Sequence, residues 1–414
     1  MRRLIVLLLT NATSTTGTAV ILVSLPLFVL ASGGTGAQTG LVAAAETAGL
    51  ATAALLGGPL IDKLGGREVA IWSDVLAGAT IAAIPLLRTV GADSIWVLAL
   101  CGALFGLTRA PGQTARQVLL AVLIRDANVV GERATSINEG ATRLGRMIGA
   151  ALAGLLVALV GAVPTLLTAA VCFACSGMTL LAVQVHPTGR PDEERDRNGY
   201  LTQLVDGMRY LRRDRLIASI VALVMITNLI DAAASSVLFP VYADRVLRSP
   251  AALGVMVGTF AGCALLGALL FAVVGTRMPR WATYTAVMLI GGAPRLLVLG
   301  LDPGLPLITA TMAVSGVAFG AVNPLLFTVC YERIPDAMLG RVMSTISACV
   351  LLGSPIGAIV GGLATDALGI HTTVTIAGAV YLLVALCPLI FRRTWRGLDR
   401  APAPAPAGLA AARG

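Results

Sequence analysis

A few charged residues interrupt the long apolar stretches of this 414-residue chain. Asp231 and Glu46 are the acids that lie deepest in such stretches, and Arg109 lies in a third. A charge in hydrocarbon costs at least about 2.5–3.5 kcal/mol, so each is a functional candidate. A carboxyl group shielded from water favours its protonated form, which suits proton exchange. We therefore predict that Asp231 and Glu46 exchange protons or contact a substrate.

Several of these charges are also compatible with simpler roles. Glu46 could be an acid in water at the outer mouth, and Arg109 could extend its guanidinium group to the inner membrane surface. Glu139 and Arg143 are four residues apart, which favours an ion pair along one helix. For Arg295 we expect a structural role.

Uncharged polar residues add a second set of candidates. Asn11 lies on the first apolar run with Thr15 and Thr18, at spacings that place them on one helix face. Asn228 lies three residues before Asp231. We expect Asn11 and Asn228 to face a common cavity.

Composition indicates which elements must position these residues. Hydrophobic residues make up 57% of the chain and charged residues 12%, against about 25% charged in soluble proteins. The apolar runs are about as long as a spanning helix and do not alternate in polarity as barrel strands do. The sequence predicts an all-α membrane protein with twelve transmembrane helices, at roughly 4–30, 39–61, 69–88, 94–112, 136–160, 163–184, 216–242, 251–275, 281–300, 304–328, 343–366 and 371–391.

The basic residues between these runs predict the orientation. Of the 30 Lys and Arg residues, 23 lie in segments on the side of the two termini, and three lie in opposite loops. Positive charge accumulates in cytoplasmic loops. We expect both termini in the cytoplasm of a multi-pass cell-membrane protein.

The chain divides into two similar halves. We predict a six-helix half at 1–185, a linker with an amphipathic helix at 186–213, a second six-helix half at 214–392 and a disordered tail at 393–414. A shift of 208 residues aligns glycines of the fifth and eleventh runs, and Thr10-Asn11 also resembles Thr227-Asn228. Glycines four apart favour close helix packing; the set is Gly145, Gly149, Gly154, Gly353, Gly357, Gly361 and Gly362.

The segment Gly58-Pro-Leu-Ile-Asp62-Lys-Leu-Gly65-Gly-Arg67 follows the second run. Gly65 permits a tight turn, and Asp62 suits the positive N-terminus of a helix. The segment resembles the loop signature of the major facilitator superfamily, with Gly66 in place of a basic residue. That resemblance implies the major facilitator fold of two pseudo-symmetric halves. It also implies that Asp62 closes the cytoplasmic side against the helix start after Arg341, and that Asp74 joins this charge network.

Within the superfamily, the chain resembles the twelve-helix drug/proton antiporters of the macrolide-efflux type. The resemblance lies in Arg116-Gln-x-Leu-Leu, Gly207-Met-Arg-Tyr-Leu and Leu339-Gly-Arg-Val, and in a variant of the antiporter signature from Gly145 to Gly154 that lacks its proline. It implies proton-coupled efflux of amphipathic small molecules such as drugs, antibiotics or siderophores. An importer or uniporter of one metabolite on the same fold remains the alternative.

The same residues argue against other classes. The sequence holds no G-x-S-G, H-E-x-x-H or Walker A pattern, so we do not expect an enzyme. The seven cysteines are scattered through apolar runs, and no cofactor or metal is expected. The basic residues form no single stripe, which argues against nucleic acid. We expect a monomer whose partners are a small-molecule substrate, protons and the lipid bilayer.

Overall fold

The computed structural model describes residues 2–91, 94–126, 131–181, 208–210, 214–334 and 336–399. The side chains of residues 2, 55–62, 125–126, 131–133, 136, 276, 336–337, 340 and 344 are not part of that description. Within these ranges the chain forms long helices and no strand. Eleven segments of the described residues are long and apolar enough to cross a membrane, and Gly36–Leu64 is another helix of 29 residues. The predicted all-α membrane architecture is confirmed. We number the helices α1 Arg2–Ala31, α2 Gly36–Leu64, α3 Gly66–Thr89, α4 Ile95–Asp126, α5 Gly131–Val160, α6 Ala162–Leu181, α7 Arg215–Val246, α8 Pro250–Val274, α9 Arg280–Gly300, α10 Leu305–Arg333, α11 Asp336–Leu368 and α12 Ile370–Ile390.

Small residues bring equivalent helices together in each half. A Cβ atom on Gly149 of α5 would lie 2.6 Å from the carbonyl oxygen of Thr16 in α1. A Cβ atom on Gly357 of α11 would lie 2.1 Å from the carbonyl oxygen of Leu229 in α7. In both places only a residue without a side chain lets the two backbones approach this closely.

These contacts also correct one alignment. Gly145 and Gly149 meet Ala12 and Thr16, and their counterparts Gly353 and Gly357 meet Met225 and Leu229. The contacts relate α1 to α7 by a shift of 213 residues, whereas the match of Thr10-Asn11 with Thr227-Asn228 requires 217. The sequence match is displaced by about one helical turn, because a two-residue motif carries less information than the packing of a whole helix.

The halves contact each other along two seams, α2 against α11 and α5 against α8. Gly36 and Gly40 of α2 approach Gly362 and Ala358 of α11, and Gly154 of α5 approaches Gly254 of α8. We call the end of the bundle where α1 begins and α12 ends the proximal end, and the end where α1 leads into α2 the distal end. All of these close contacts lie toward the distal end.

The hydrophobic core follows the same division. One cluster includes both Phe28 of α1 and Tyr242 of α7 at the distal end, and within the second half it continues to Trp395 at the proximal end. At the proximal end the first half has a separate cluster around Leu7 and Ala70, and part of the second half forms another around Val221 and Val342. The halves are therefore joined at the distal end and separated at the proximal end.

Three helices of the second half are interrupted. The distal part of α7 contains two π-helical segments, Ala234–Leu238 and Tyr242–Val246, on either side of Pro240. Helix α9 is interrupted at Gly292–Ala293, directly before Pro294. Helix α10 is interrupted at Gly320–Ala321, before Pro324. Proline lacks an N–H and its ring collides with the carbonyl four residues earlier, which for Pro324 belongs to Gly320. The break in α10 therefore lies just before Asn323-Pro324.

The end of the chain differs from the expected disordered tail. Arg392–Trp395 forms a helical turn, followed by a 3₁₀ turn at Arg396–Asp399. Trp395 is 1% exposed and stacks on Tyr284 of α9. Residues 393–399 are therefore packed against the second half, because Trp395 and Leu398 bury apolar surface there. Residues 400–414 lie outside the described part, as does most of the predicted linker at 186–213.

Candidate functional site

A cavity of about 670 Å³ lies between the two halves, within the range typical of small-molecule sites. Seven helices supply most of its wall, namely α1, α3, α4, α5, α7, α8 and α10, and Arg295 of α9 and Phe173 of α6 complete it. Toward the distal end its lining is apolar, with Leu22, Phe239 and Leu253. Because the halves meet at that end, the cavity lies on the side where they are separated.

The first charged pair joins α2 to α4. The Arg109 guanidinium nitrogen Nη1 donates to Glu46 Oε1 at 3.2 Å, and both side chains are largely buried. Arg109 lines the cavity, whereas Glu46 borders a smaller pocket beside Thr39 and Ser236. Glu46 thus forms an ion pair with Arg109, the other predicted site residue, and is not an isolated acid at the outer mouth of the protein. The pair lies in the wall between the cavity and the seam with the second half.

A second pair joins α3 to α4 inside the first half. Asp74 is 2% exposed, forms an ion pair with Arg116, and accepts hydrogen bonds from the hydroxyls of Ser14 and Ser176. Four helices therefore converge on one carboxylate. The loop resemblance implies a place for Asp74 in the cytoplasmic charge network after α2. The structure places it instead in the cavity wall, because α4 extends 14 residues beyond its predicted end and brings Arg116 to it.

The third pair joins α7 to α9 in the second half. Asp231 forms an ion pair with Arg295, and both line the cavity. The Arg295 side chain is 6% exposed, and the rings of Phe260, Phe319 and Tyr381 surround its guanidinium group at 4.8–5.8 Å. Arg295 also donates from Nε to the carbonyl oxygen of Gly292 at 3.4 Å. The break before Pro294 directs this arginine inward.

Two further arginines line the cavity from α5. Arg143 lies 3.9 Å from Glu139, whose side chain is 65% exposed, so this predicted ion pair is loose and solvated. Arg146 follows one turn later and is exposed to the cavity. Across the cavity, α8 contributes only apolar residues, which are Leu253, Met256, Val257, Phe260, Ala261 and Ala264.

Two predicted cavity residues lie elsewhere. Asn11 donates from Nδ2 to Asn138 Oδ1 at 2.7 Å, so α5 covers it at the level proximal to the cavity. Asn228 donates to the carbonyl oxygen of Val224 within its own helix, at 2.9 Å, and lies outside the cavity lining. By contrast, Thr15 and Thr18 of α1 line the cavity.

The loop signature is described in part. Gly65 adopts φ of 90° at the start of α3, a conformation that favours glycine. Arg67 donates to the carbonyl oxygen of Leu181 at 2.8 Å, which ties α3 to the end of α6. Arg341 lies near the start of α11. The packing around Gly58 and the side chain of Asp62 lie outside the described part, so the expected contact between Asp62 and α11 stays a prediction.

Sequence reasoning missed the roles of Arg116 and Arg295. The apolar pattern places Arg116 in a loop after the fourth run, and it gives Arg295 no part in a site. One signal could have identified Arg295, because Pro294 before it predicts a break that turns the next side chain off the lipid-facing surface. For Arg116 there was no such signal, because nothing in the sequence indicates that α4 continues beyond its apolar run.

The fold and the cavity define a polytopic membrane transporter, in which helices of two halves enclose a site for a small solute. The sequence profile of the Major Facilitator Superfamily matches residues 7–246 and 221–413. The chain belongs to this superfamily and is a transporter rather than an enzyme.

Relatives and solved structures agree with that assignment. The multidrug efflux pump Tap of Mycolicibacterium fortuitum is 30% identical over 406 residues, which cover 97% of this chain and 98% of that protein. Tap of Mycobacterium tuberculosis (strain ATCC 25618 / H37Rv) is 31% identical over 362 residues, covering 86% and 85%. The crystal structure of the nucleoside transporter NupG superposes with a TM-score of 0.72 at 14% identity, covering 95% of this chain and 99% of that one. The last comparison shows the fold alone.

Proposed function

We propose that this chain exports amphipathic small molecules by alternating access, in exchange for protons. The observation that carries the proposal is the Asp231–Arg295 ion pair in the wall of the substrate cavity. The relatives named as multidrug efflux pumps support the direction of transport. A carboxylate with an arginine partner next to the substrate can change charge state without leaving its place, which couples a proton to the cavity.

We further propose that the proximal end faces the cytoplasm. The excess of basic residues in the segments on that side, 23 against three, supports this orientation. The cavity would then be open to the cytoplasm in the conformation described here, with the distal end closed. A substrate would enter from the cytoplasm or the inner leaflet, and the halves would rock about the distal seams to release it outside.

Asp231 and Arg295 connect proton binding to the second half. When Asp231 takes up a proton, its attraction to Arg295 falls, while the three rings and Gly292 still hold the guanidinium group. The contact between α7 and α9 then weakens on one side of the cavity. Because α7 also packs against α11 through Gly357, a change in α7 reaches the α2–α11 seam.

In the first half, the proposed proton-responsive ion pair is Glu46–Arg109. Glu46 lies in α2, two turns from Gly40 at the seam with α11, and Ser236 of α7 borders the same small pocket. Protonation of Glu46 would release Arg109 toward the cavity. On this proposal each half has one acid that responds to protons, and each acid lies close to the α2–α11 seam.

The cytoplasmic gate completes the cycle. In the outward-facing state, Asp62 would contact the start of α11 near Arg341, and Gly58 would allow the two helices to approach. Gly65 and Arg67 fix the start of α3 and so hold this segment in place.

The test uses inside-out vesicles that contain the protein and have an acidic interior. We expect antibiotics and amphipathic dyes to accumulate, and an uncoupler to abolish accumulation. Asp231→Asn and Glu46→Gln should each remove the uncoupler-sensitive part while the purified variants still elute as folded protein. Glu332→Gln is the matched control, because Glu332 pairs with Arg280 outside the cavity. Accumulation that persists in both acid variants would reject the coupling assignment.

A further inference from the structure

The α5 wall of the cavity carries positive charge that nearby carboxylates do not neutralise. Arg143 has only the loose contact to Glu139 at 3.9 Å. Among the described residues, Arg146 has no carboxylate within 4 Å. The other three cavity arginines each form an ion pair with an acid: Arg109, Arg116 and Arg295.

The unpaired charge is not cancelled by the rest of the lining. Among the residues that the structure describes, five arginines line the cavity, against the two acids Asp74 and Asp231. Even with Glu46 counted as the partner of Arg109, the wall retains an excess of two positive charges. Walls of low dielectric concentrate the field of such charges inside a cleft, which raises the local concentration of anions and lowers that of cations.

The opposite wall has a different character. All six lining residues of α8 are apolar, and Phe260 and Met256 lie among them. Met312 and Phe319 of α10 extend this surface. A ligand that fills the cavity therefore meets guanidinium groups on the first half and aromatic and aliphatic side chains on the second.

Resting on the proposed export function, we propose that the substrates are amphipathic anions, with an oxyanion such as a carboxylate held by Arg143 and Arg146 and an apolar body packed against α8. Arginine binds a carboxylate with two parallel hydrogen bonds, so the pair of guanidinium groups suits such an end. The apolar body gains from leaving water at the surface of Phe260 and Met256.

This placement also gives the ligand a part in the transport cycle. The helices α5 and α8 belong to different halves and already touch at Gly154 and Gly254 near the distal end. Arg146 and Phe260 lie on the same two helices, further toward the proximal end. A ligand in contact with both would favour the conformation in which the proximal ends approach each other.

Binding is tested with the full chain in lipid nanodiscs, without any gradient. Three dansyl probes share one short alkyl tail that ends in a carboxylate, a carboxamide or an ammonium group. Fluorescence titration at constant ionic strength should rank the carboxylate at least about tenfold tighter than the carboxamide. The ammonium probe should bind more weakly than either.

Variants assign the preference to α5. Arg146→Gln and Arg143→Gln should each weaken the carboxylate probe about tenfold and leave the carboxamide probe unchanged. Arg146→Lys should retain most of the preference, since it keeps the charge. The control Arg277→Gln removes one exposed positive charge outside the cavity and should change nothing.

Several outcomes would overturn the inference: equal affinity for the three probes, tightest binding of the ammonium, or an equal loss of all probes in the glutamine variants. Even where a variant does not fold, the three probes on the unaltered protein test whether the cavity prefers an anionic ligand. The result is separable from the export proposal. A carboxylate preference without gradient-driven accumulation supports the binding inference and rejects export, whereas uncoupler-sensitive accumulation of cationic dyes alone rejects the binding inference.

Discussion

The two halves of the molecule share their helix packing but not their charges. Gly49 of α2 meets Ala103 of α4 in the same way that Gly267 of α8 meets Val317 of α10. By that correspondence Glu46 matches Ala264, and Arg109 matches Asn323, so the ion pair of the first half has no charged equivalent in the second. The pair Asp231–Arg295 joins α7 to α9 in the second half. The corresponding helices of the first half are α1 and α3, and no ion pair joins their described residues.

The comparison separates two kinds of residue. Small residues at the helix contacts recur because both halves need the same close approach of backbones. The ion pairs Glu46–Arg109 and Asp231–Arg295 do not recur, although each charge costs free energy in a membrane, so the common scaffold does not account for them. We infer that they serve the cavity, with the first half supplying most of the charge and the second most of the apolar surface.

The largest expected effect comes from Asp74, the most buried charged group of the cavity wall. Asp74→Ala leaves Arg116 buried without its carboxylate, and loss of one partner of a buried pair costs about 3–5 kcal/mol. We expect a clear fall in the thermal unfolding temperature of the purified protein. Asp231→Ala should cost less, because the Asp231 side chain is 27% exposed and three rings still hold Arg295. Equal losses in both variants would contradict the contrast between the halves.

A double variant tests whether the unpaired charge causes the expected loss of stability. The double variant Asp74→Leu with Arg116→Met removes both charges and retains side-chain volume. It should recover much of the stability that Asp74→Ala loses, because no unpaired charge remains. If the double variant is as unstable as the single one, the four-helix hydrogen-bond cluster rather than the unpaired charge sets the stability.

The shared packing is tested on one helix of the second half. A Cβ atom on Gly357 would collide with the Leu229 carbonyl oxygen at 2.1 Å, whereas the nearest atom to one on Gly353 is the Met225 carbonyl oxygen at 3.8 Å. Gly357→Ala should therefore destabilise the protein by about 1–3 kcal/mol. Gly353→Ala should be neutral or slightly stabilising, because alanine favours helix. Unfolding curves of the two variants check this, and equal behaviour would contradict the packing assignment.

Much of the scaffold could be predicted from the sequence, because lipid imposes long apolar helices and close packing demands small residues. The runs, their number and the glycines of α5 and α11 follow from such general rules. The pairing of charges does not. Arg116 and Arg295 find their acids only because α4 continues past its apolar run and α9 breaks at Pro294, and these are properties of the tertiary packing. Asn11 shows the opposite error, since a suitable helix face does not tell which neighbour covers it.

A smaller effect is expected at the distal seam between α2 and α11. The Asp366 carboxylate of α11 accepts from the backbone N–H groups of Gly36 and Ala37 at 2.9 and 2.7 Å, and so caps a helix of the other half. Among the described residues, no carboxylate caps α8 at the second seam. Loss of such a cap costs about 0.5–2 kcal/mol. Asp366→Ala should therefore favour opening of the distal end.

Accessibility measures that opening. In a background without the native cysteines, Leu22→Cys places a thiol at the distal end of the cavity. An impermeant thiol reagent added from the distal side should modify it several-fold faster when Asp366→Ala is present. Asp366→Asn keeps one acceptor oxygen and should give an intermediate rate. Unchanged labelling in Asp366→Ala would mean that the glycine contacts alone hold this seam closed.

The smallest effect is expected for an ion pair that has no contact with the cavity. Arg280 and Glu332 join α9 to α10 with a 2.8 Å hydrogen bond from Nη2 to Oε1, and their side chains are 36% and 40% exposed. Pairs exposed to this degree contribute about 0–1 kcal/mol. Glu332→Gln should therefore unfold within about a degree or two of the unaltered protein and retain full transport. Because α9 also carries Arg295, this variant separates the helix from the site. A transport defect in Glu332→Gln as deep as that of Asp231→Asn would show that α9 responds to any lost ion pair, and that the position of Arg295 at the cavity has no special role.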